Sequence, residues 1–164
     1  MIKTYLSLCW FRGEVLRLPH SSAFLKQNLL FYFGVMFFIQ FNMSDDIEAI
    51  FEVILETLLT QSFVALLMMA NKSMDDFSRV CSAILFTQNV ISILLVPVVF
   101  WVTTTEELAS YGLMFVLMIW VVLLISRIFK QVLYINNAAA MVVSLSYFVI
   151  VYAGAYAIDS LVAG

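Results

Sequence analysis

Charge is scarce in this sequence. Asp, Glu, Lys and Arg make up 12% of its 164 residues, where soluble domains carry roughly 25%. The formal net charge is −3, which excludes the broadly cationic surface that nucleic acid requires. Histidine occurs once, as His20, with no acidic or cysteine partner expected within reach. The two cysteines, Cys9 and Cys81, are far apart and outside any CxxC or His-rich context, so neither a disulfide framework nor a zinc site is expected. HExxH, GxSxG and P-loop patterns are missing. Every aspartate falls in a loop or at the end of a span, so no intramembrane aspartyl pair can form. These absences predict no enzyme activity, no metal and no cofactor.

Apolar residues fill the space that charge leaves, at 64% of the chain. A compact fold of this length has too little interior to hide them all, and the excess must face lipid. Five segments approach the roughly 20 apolar residues that a helical span needs. They run over about 22–41, 47–70, 80–102, 108–128 and 138–158, joined by short polar connections. The runs are continuous rather than alternating, which argues against a β-barrel. The expected fold is therefore all-α, a polytopic five-helix transmembrane bundle in one domain over 21–164.

The segment 1–20 is read separately. Lys3 gives it a positive start, but Arg12, Gly13 and Glu14 interrupt the apolar run, and no small-residue cleavage site follows. A cleaved signal is not expected. Ile2, Tyr5, Leu6, Cys9 and Leu16 share one side of a helical wheel, with Lys3, Ser7 and Glu14 on another. This predicts an amphipathic helix lying on the membrane surface, ended by Pro19, with Ser21 or Ser22 capping the first span.

Orientation follows from where the charges fall. With five spans, all eight basic residues (Lys3, Arg12, Arg17, Lys26, Lys72, Arg79, Arg127 and Lys130) lie on one side. The other side holds Asp45, Asp46, Glu48, Glu106, Glu107 and Asp159 and no Lys or Arg. Basic loops stay cytoplasmic during insertion, which predicts a cytoplasmic N-terminus and an external C-terminus. Removing one span would put basic residues on both sides. Length and short tails favour a bacterial inner membrane.

The polar residues within spans are the candidate site. Glu48, Glu52 and Glu56 recur every four residues on the second span, with Thr60 continuing the stripe. Glu56 would lie about 14 Å along a helix that begins at Ile47. A carboxylate at that depth must be paired, protonated or wetted. Glu52 and Glu56 are therefore a candidate ion or proton site; the alternative is a helix that enters the membrane later and leaves them hydrated. Gln61 on the second span and Gln88 with Asn89 on the third match in depth and form a candidate interhelical polar layer. Pro97 is expected to kink the third span near the level of Glu56. On the fifth span, Ala140 with Ser144 and Ala153 with Ala157 are small-xxx-small pairs suited to close helix approach.

Several features of the second half recur in one family. The loop Met74–Arg79 leads into a span carrying Pro97, and Trp120 sits in an aliphatic fourth span followed by Ser126 and Arg127. The connection Gln131–Asn137 then precedes Ala138–Ala140 at the start of the fifth span. Over about residues 70–155 the chain resembles bacterial members of the Yip1-like family of small five-span membrane proteins. It lacks the long soluble N-terminal region and the glycine-bearing motifs of the eukaryotic members. The resemblance implies a non-catalytic membrane-organising or adaptor protein that associates with other membrane proteins or with copies of itself, and carries over no site residues. The competing expectation is a small transporter or channel subunit that uses Glu52 and Glu56. Membrane lipid is an expected partner under either.

Overall fold

A backbone in hydrocarbon must satisfy its own N–H and C=O groups, and the apolar runs of this chain do so as helices. The computed structural model describes residues 2–44, 49–105 and 107–163. Its helices are α1 (Ile2–Cys9), α2 (Ser22–Ser44), α3 (Ala49–Ala70), α4 (Phe77–Thr105), α5 (Leu108–Leu133), α6 (Asn137–Phe148) and α7 (Gly154–Ala163). A π-helical segment, Val149–Ala153, joins α6 to α7 in one rod. With that rod counted once, five helices are long and apolar enough to cross a membrane, and no strand occurs among the described residues. The chain is an all-α protein with the layout of a multi-pass membrane protein. Asp45, Asp46, Ile47, Glu48 and Glu106 lie outside the described residues.

α4 is the axis of the bundle. Its membrane-spanning window is 61% buried, against 22–28% for the other four. From Val80 to Asn89 every residue is buried, so this stretch of the helix meets protein on all sides rather than lipid on one. α2 and α5 flank it, α3 packs against α2, and the last rod leans on α5 through α6 and on α3 through α7. This position explains the polar content of α4. Ser82, Thr87, Gln88, Asn89 and Ser92 are all buried there, and Gln88, Asn89 and Ser92 each donate to a neighbouring helix. Pro97 lies on the exposed side, and the helix continues through it to Thr105.

The N-terminal segment differs from the expected long surface helix. α1 ends at Cys9, well before Pro19. Phe11 takes a left-handed backbone conformation (φ 58°), and the Phe11 and Arg12 amides donate to the carbonyls of Leu8 and Ser7. That is a Schellman closure, which stops a helix by folding the chain back over its last turn. Tyr5, Leu8 and Cys9 are buried, and α1 packs against α4. Tyr5 reaches the Phe24 and Phe86 rings at 4.5 and 5.5 Å, and its hydroxyl donates to the Pro19 carbonyl at 3.2 Å. The remaining stretch forms one 3-10 turn, Val15–Arg17. The same Schellman closure recurs after α3, with Lys72 at φ 55°.

Helix starts follow ordinary capping chemistry. Ser21 Oγ accepts from the Phe24 amide at 3.1 Å, and Asn136 Oδ1 from the Ala139 amide at 2.8 Å. Loop contacts gather the basic residues at one end of the bundle. Gln131 on α5 accepts from the Val15 amide and donates to the Gly13 carbonyl, at 2.8 and 3.2 Å. Asn71 donates to the Val132 carbonyl at 3.2 Å, and Arg79 pairs with Asp76. His20, expected to have no acidic partner, places Nε2 3.7 Å from Asp76 Oδ1. The chain reversal between α3 and α4 brings these two together, which linear spacing does not reveal.

Candidate functional site

The four-residue spacing of Glu52, Glu56 and Thr60 puts them on one face of α3, and that face turns into the bundle. Glu56 is 1% exposed and Thr60 is fully buried; Glu52, one turn nearer the helix start, is half-buried. Both carboxylates line a cavity of about 350 Å3 enclosed by α2, α3, α4, α5 and the last rod. Its wall is mainly apolar, with Ile39, Ile91, Leu95, Leu117, Val121 and Phe148 among the lining residues. Met36, Met43, Met114 and Met118 also line it, giving a soft, adaptable surface. Ser92 Oγ donates to the Met36 sulfur at 3.7 Å.

The carboxylate of Glu56 is only half satisfied. Oε1 accepts from Gln40 Nε2 of α2 at 2.7 Å. Oε2 is buried and has no hydrogen-bond partner among the described residues. Among the described residues no Lys, Arg or His lines the cavity. An ionised carboxylate held this way bears several kcal/mol of desolvation, at least about 2–3 by insertion scales, without an opposite charge to offset it. The arrangement can take up a proton, or it can pair with a cation that enters the cavity.

A second set of polar groups adjoins it. Gln88 lines the cavity, and its Nε2 donates to the hydroxyls of Tyr147 and Tyr152 at 3.1 and 3.3 Å. The Tyr147 hydroxyl lies 3.1 Å from Thr60 Oγ1, which closes a chain of side chains from α3 through the last rod to α4. Gln88 Oε1 has no partner among the described residues. The π-helical segment makes this geometry possible. Residues five apart diverge by well over 90° around an α-helix, whereas π-type winding brings them back toward one side.

The expected polar layer is divided differently. Gln61, placed beside Gln88 and Asn89 by depth, bonds to the Thr57 carbonyl of its own helix at 3.4 Å. It follows Thr60 by one residue, a rotation of about 100°, and Thr60 takes the inward position. Asn89 turns to α2, where Nδ2 donates to the Asn28 carbonyl and approaches Asn28 Oδ1, at 3.0 and 3.3 Å. Ala140 and Ser144 are buried against α5, with Ser144 Oγ donating to the Val122 carbonyl at 2.9 Å. Ala153 and Ala157 remain exposed. Gln40 and Asn28 are site residues that the spacing argument did not single out, although each is a polar residue within an apolar run. Comparison with protein-family models, curated proteins and solved structures finds no match.

Proposed function

We propose that this protein is a small membrane carrier or receptor that binds an organic cation in the central cavity, with Glu56 as the group that holds the charge. The observation that carries this reading is the buried Glu56 carboxylate, which lines an apolar cavity where, among the described residues, one of its oxygens has no partner and no basic side chain joins the lining. An inorganic cation prefers several oxygen ligands. A wall this rich in Met, Ile, Leu and Val suits an apolar body carrying one positive charge, and the cavity volume is that of a small-molecule site. Glu52, one turn outward, would meet the cation first and draw it inward. The Gln88–Tyr147–Tyr152 group would set the far boundary of the site. Since proton and cation compete for one carboxylate, cation entry would release a proton. We further propose that the basic end faces the cytoplasm of a bacterial cell and that Trp10 and Phe11, both exposed, rest among headgroups.

The test is binding of tetraphenylphosphonium to the detergent-purified protein by isothermal titration, in two buffers of different ionisation enthalpy. Saturable binding with proton release is expected, and Glu56→Gln should weaken it at least about 30-fold, the lower range for removing one member of a buried charge pair. Equal binding by the Glu56→Gln protein would rule the site out.

A second reading has its own observation. Ala153 and Ala157 present a small-residue face on the outside of the last rod, which suits association with another membrane helix. Together with the Yip1-like resemblance, it supports an organising or adaptor role. Ala153→Leu would then disperse a detergent-stable assembly without altering cation binding; an unchanged assembly size removes this reading.

A further inference from the structure

A second cavity lies at the basic end of the bundle, away from Glu56. Its volume is about 480 Å3, and it sits where the last turns of α5 meet the start of α6 and the loop after α1. Arg127 and Lys130, three residues apart and so on one face of α5, both line it, and Ser126 and Asn137 add further polar groups. Among the described residues no carboxylate lines this cavity. Neither cation is in an ion pair among the described residues, whose ion pairs involve Arg17, His20 and Arg79. Phe11, Leu123 and Met141 complete the wall, and the Arg127 guanidinium lies 5.9 Å from the Phe11 ring centre. One side of the cavity is thus cationic and the other apolar.

The position along α5 gives this pairing its meaning. Arg127 and Lys130 directly follow the long apolar stretch of that helix, at the level where hydrocarbon gives way to headgroups. About two turns deeper along α5, Trp120 meets Trp10 edge to face at 5.8 Å, and Trp10, next to Phe11 of the cavity wall, is largely exposed. The start of α6 contributes the positive end of a helix dipole. A ligand that satisfies all of these carries a phosphate for the cations and a hydrocarbon chain for Leu123 and Met141. We propose that this cavity is a binding site for the phosphate headgroup of an anionic phospholipid, with Arg127 and Lys130 pairing with the phosphate. Basic pockets between membrane helices take such headgroups by the same electrostatics.

The experiment is native mass spectrometry of the full chain in mild detergent, with dioleoylphosphatidylglycerol or dioleoylphosphatidylcholine added. The native chain should retain the phosphatidylglycerol about tenfold better. Arg127→Gln with Lys130→Gln should remove that preference, while Lys72→Gln, at the same end but outside the cavity, should keep it. Retention of the preference by the double variant, or equal loss in Lys72→Gln, overturns the proposal. If the double variant does not fold, Lys130→Gln alone decides, since that side chain is exposed; an undiminished preference there also overturns it. Inorganic phosphate at millimolar concentration separates the sources of phosphate. No thermal stabilisation by phosphate alone is expected of a lipid site, whereas stabilisation that needs Arg127 and Lys130, without any lipid preference, would make the occupant a soluble anion and overturn the lipid assignment.

Discussion

At the basic end of the bundle, chain segments distant in sequence are tied by matched polar groups. Gln131 uses both ends of its amide on the loop at Gly13 and Val15, Asn71 bonds the last turn of α5, and Asp76 meets both Arg79 and His20. Around Glu56 such cross-ties are fewer: Glu56 Oε2 and Gln88 Oε1 are buried without partners among the described residues, beside an apolar cavity. Each unmatched group costs about 1–3 kcal/mol of desolvation, more where charged. Ser78 Oγ and Arg79 Nε at the basic end are also buried without partners among the described residues. The two regions thus differ in kind: one is cross-tied between distant segments, and the other holds a buried carboxylate with no opposite charge among the described residues of its cavity wall. One end holds the helices in register, and the other retains chemistry that only a ligand or a proton completes.

Substitutions at the closed end should therefore damage stability most. Gly13 is the clearest case: a β-carbon there would fall 2.7 Å from both Leu8 Cδ2 and Ser7 Oγ. Leu8 is buried and Ser7 Oγ donates to the Thr4 carbonyl at 2.7 Å, so a methyl group displaces a packed side chain or breaks a bond. Gly13→Ala should cost about 1–3 kcal/mol, as overpacking does, and lower the thermal midpoint in detergent. The buried Cys9 thiol should then react faster with maleimide. An unaltered midpoint with an unaltered labelling rate would show that the α1 docking contributes little.

The next pair sets the two ends directly against each other. Gln131→Ala removes two hydrogen bonds and leaves loop groups to water, for an expected loss of about 1–2 kcal/mol. Glu56→Gln keeps the shape and leaves a permanently neutral group at the buried site, so stability should hold or rise even as cation binding is lost. If Glu56→Gln proved the more damaging of the two, Glu56 would be a structural anchor, and the division between the ends would fail.

Much of this architecture is legible in the residue pattern, for identifiable reasons. Continuous apolar runs admit only helices in lipid, and the α3 stripe repeats at a spacing close to the helical turn, so its inward face could be read from the chain. What stayed hidden depends on rotation and on partners distant in sequence. Gln61 matches Gln88 in depth, but one residue of rotation gives Thr60 the inner position. The π-helical segment at Val149–Ala153 has no residue signature in the chain, yet it governs how Tyr147 and Tyr152 both reach Gln88. The early stop of α1 depends on Phe11 at positive φ, a conformation that glycine or asparagine would have announced and phenylalanine does not.

The smallest expected effect concerns how tightly the closed end is sealed. Burial pushes the Cys9 thiol up from 9.0 to about 11. Thiolate is the reactive form, so maleimide labelling of Cys9 should keep rising with pH beyond 9, where an exposed thiol would level off. The stability linkage has a definite sign. The native state holds the thiol proton more tightly than the unfolded state, so this contribution is complete below about pH 9 and is lost as pH rises through about 11. Tyr5, raised in the same way by burial, adds to the loss on the alkaline side. A Cys9→Ala protein should therefore show a shallower fall in thermal midpoint above pH 9 than the native chain. If the slopes coincide and labelling levels off early, α1 is docked only transiently, and the contrast between a sealed end and an open one would rest on Gln131, Asn71 and Asp76.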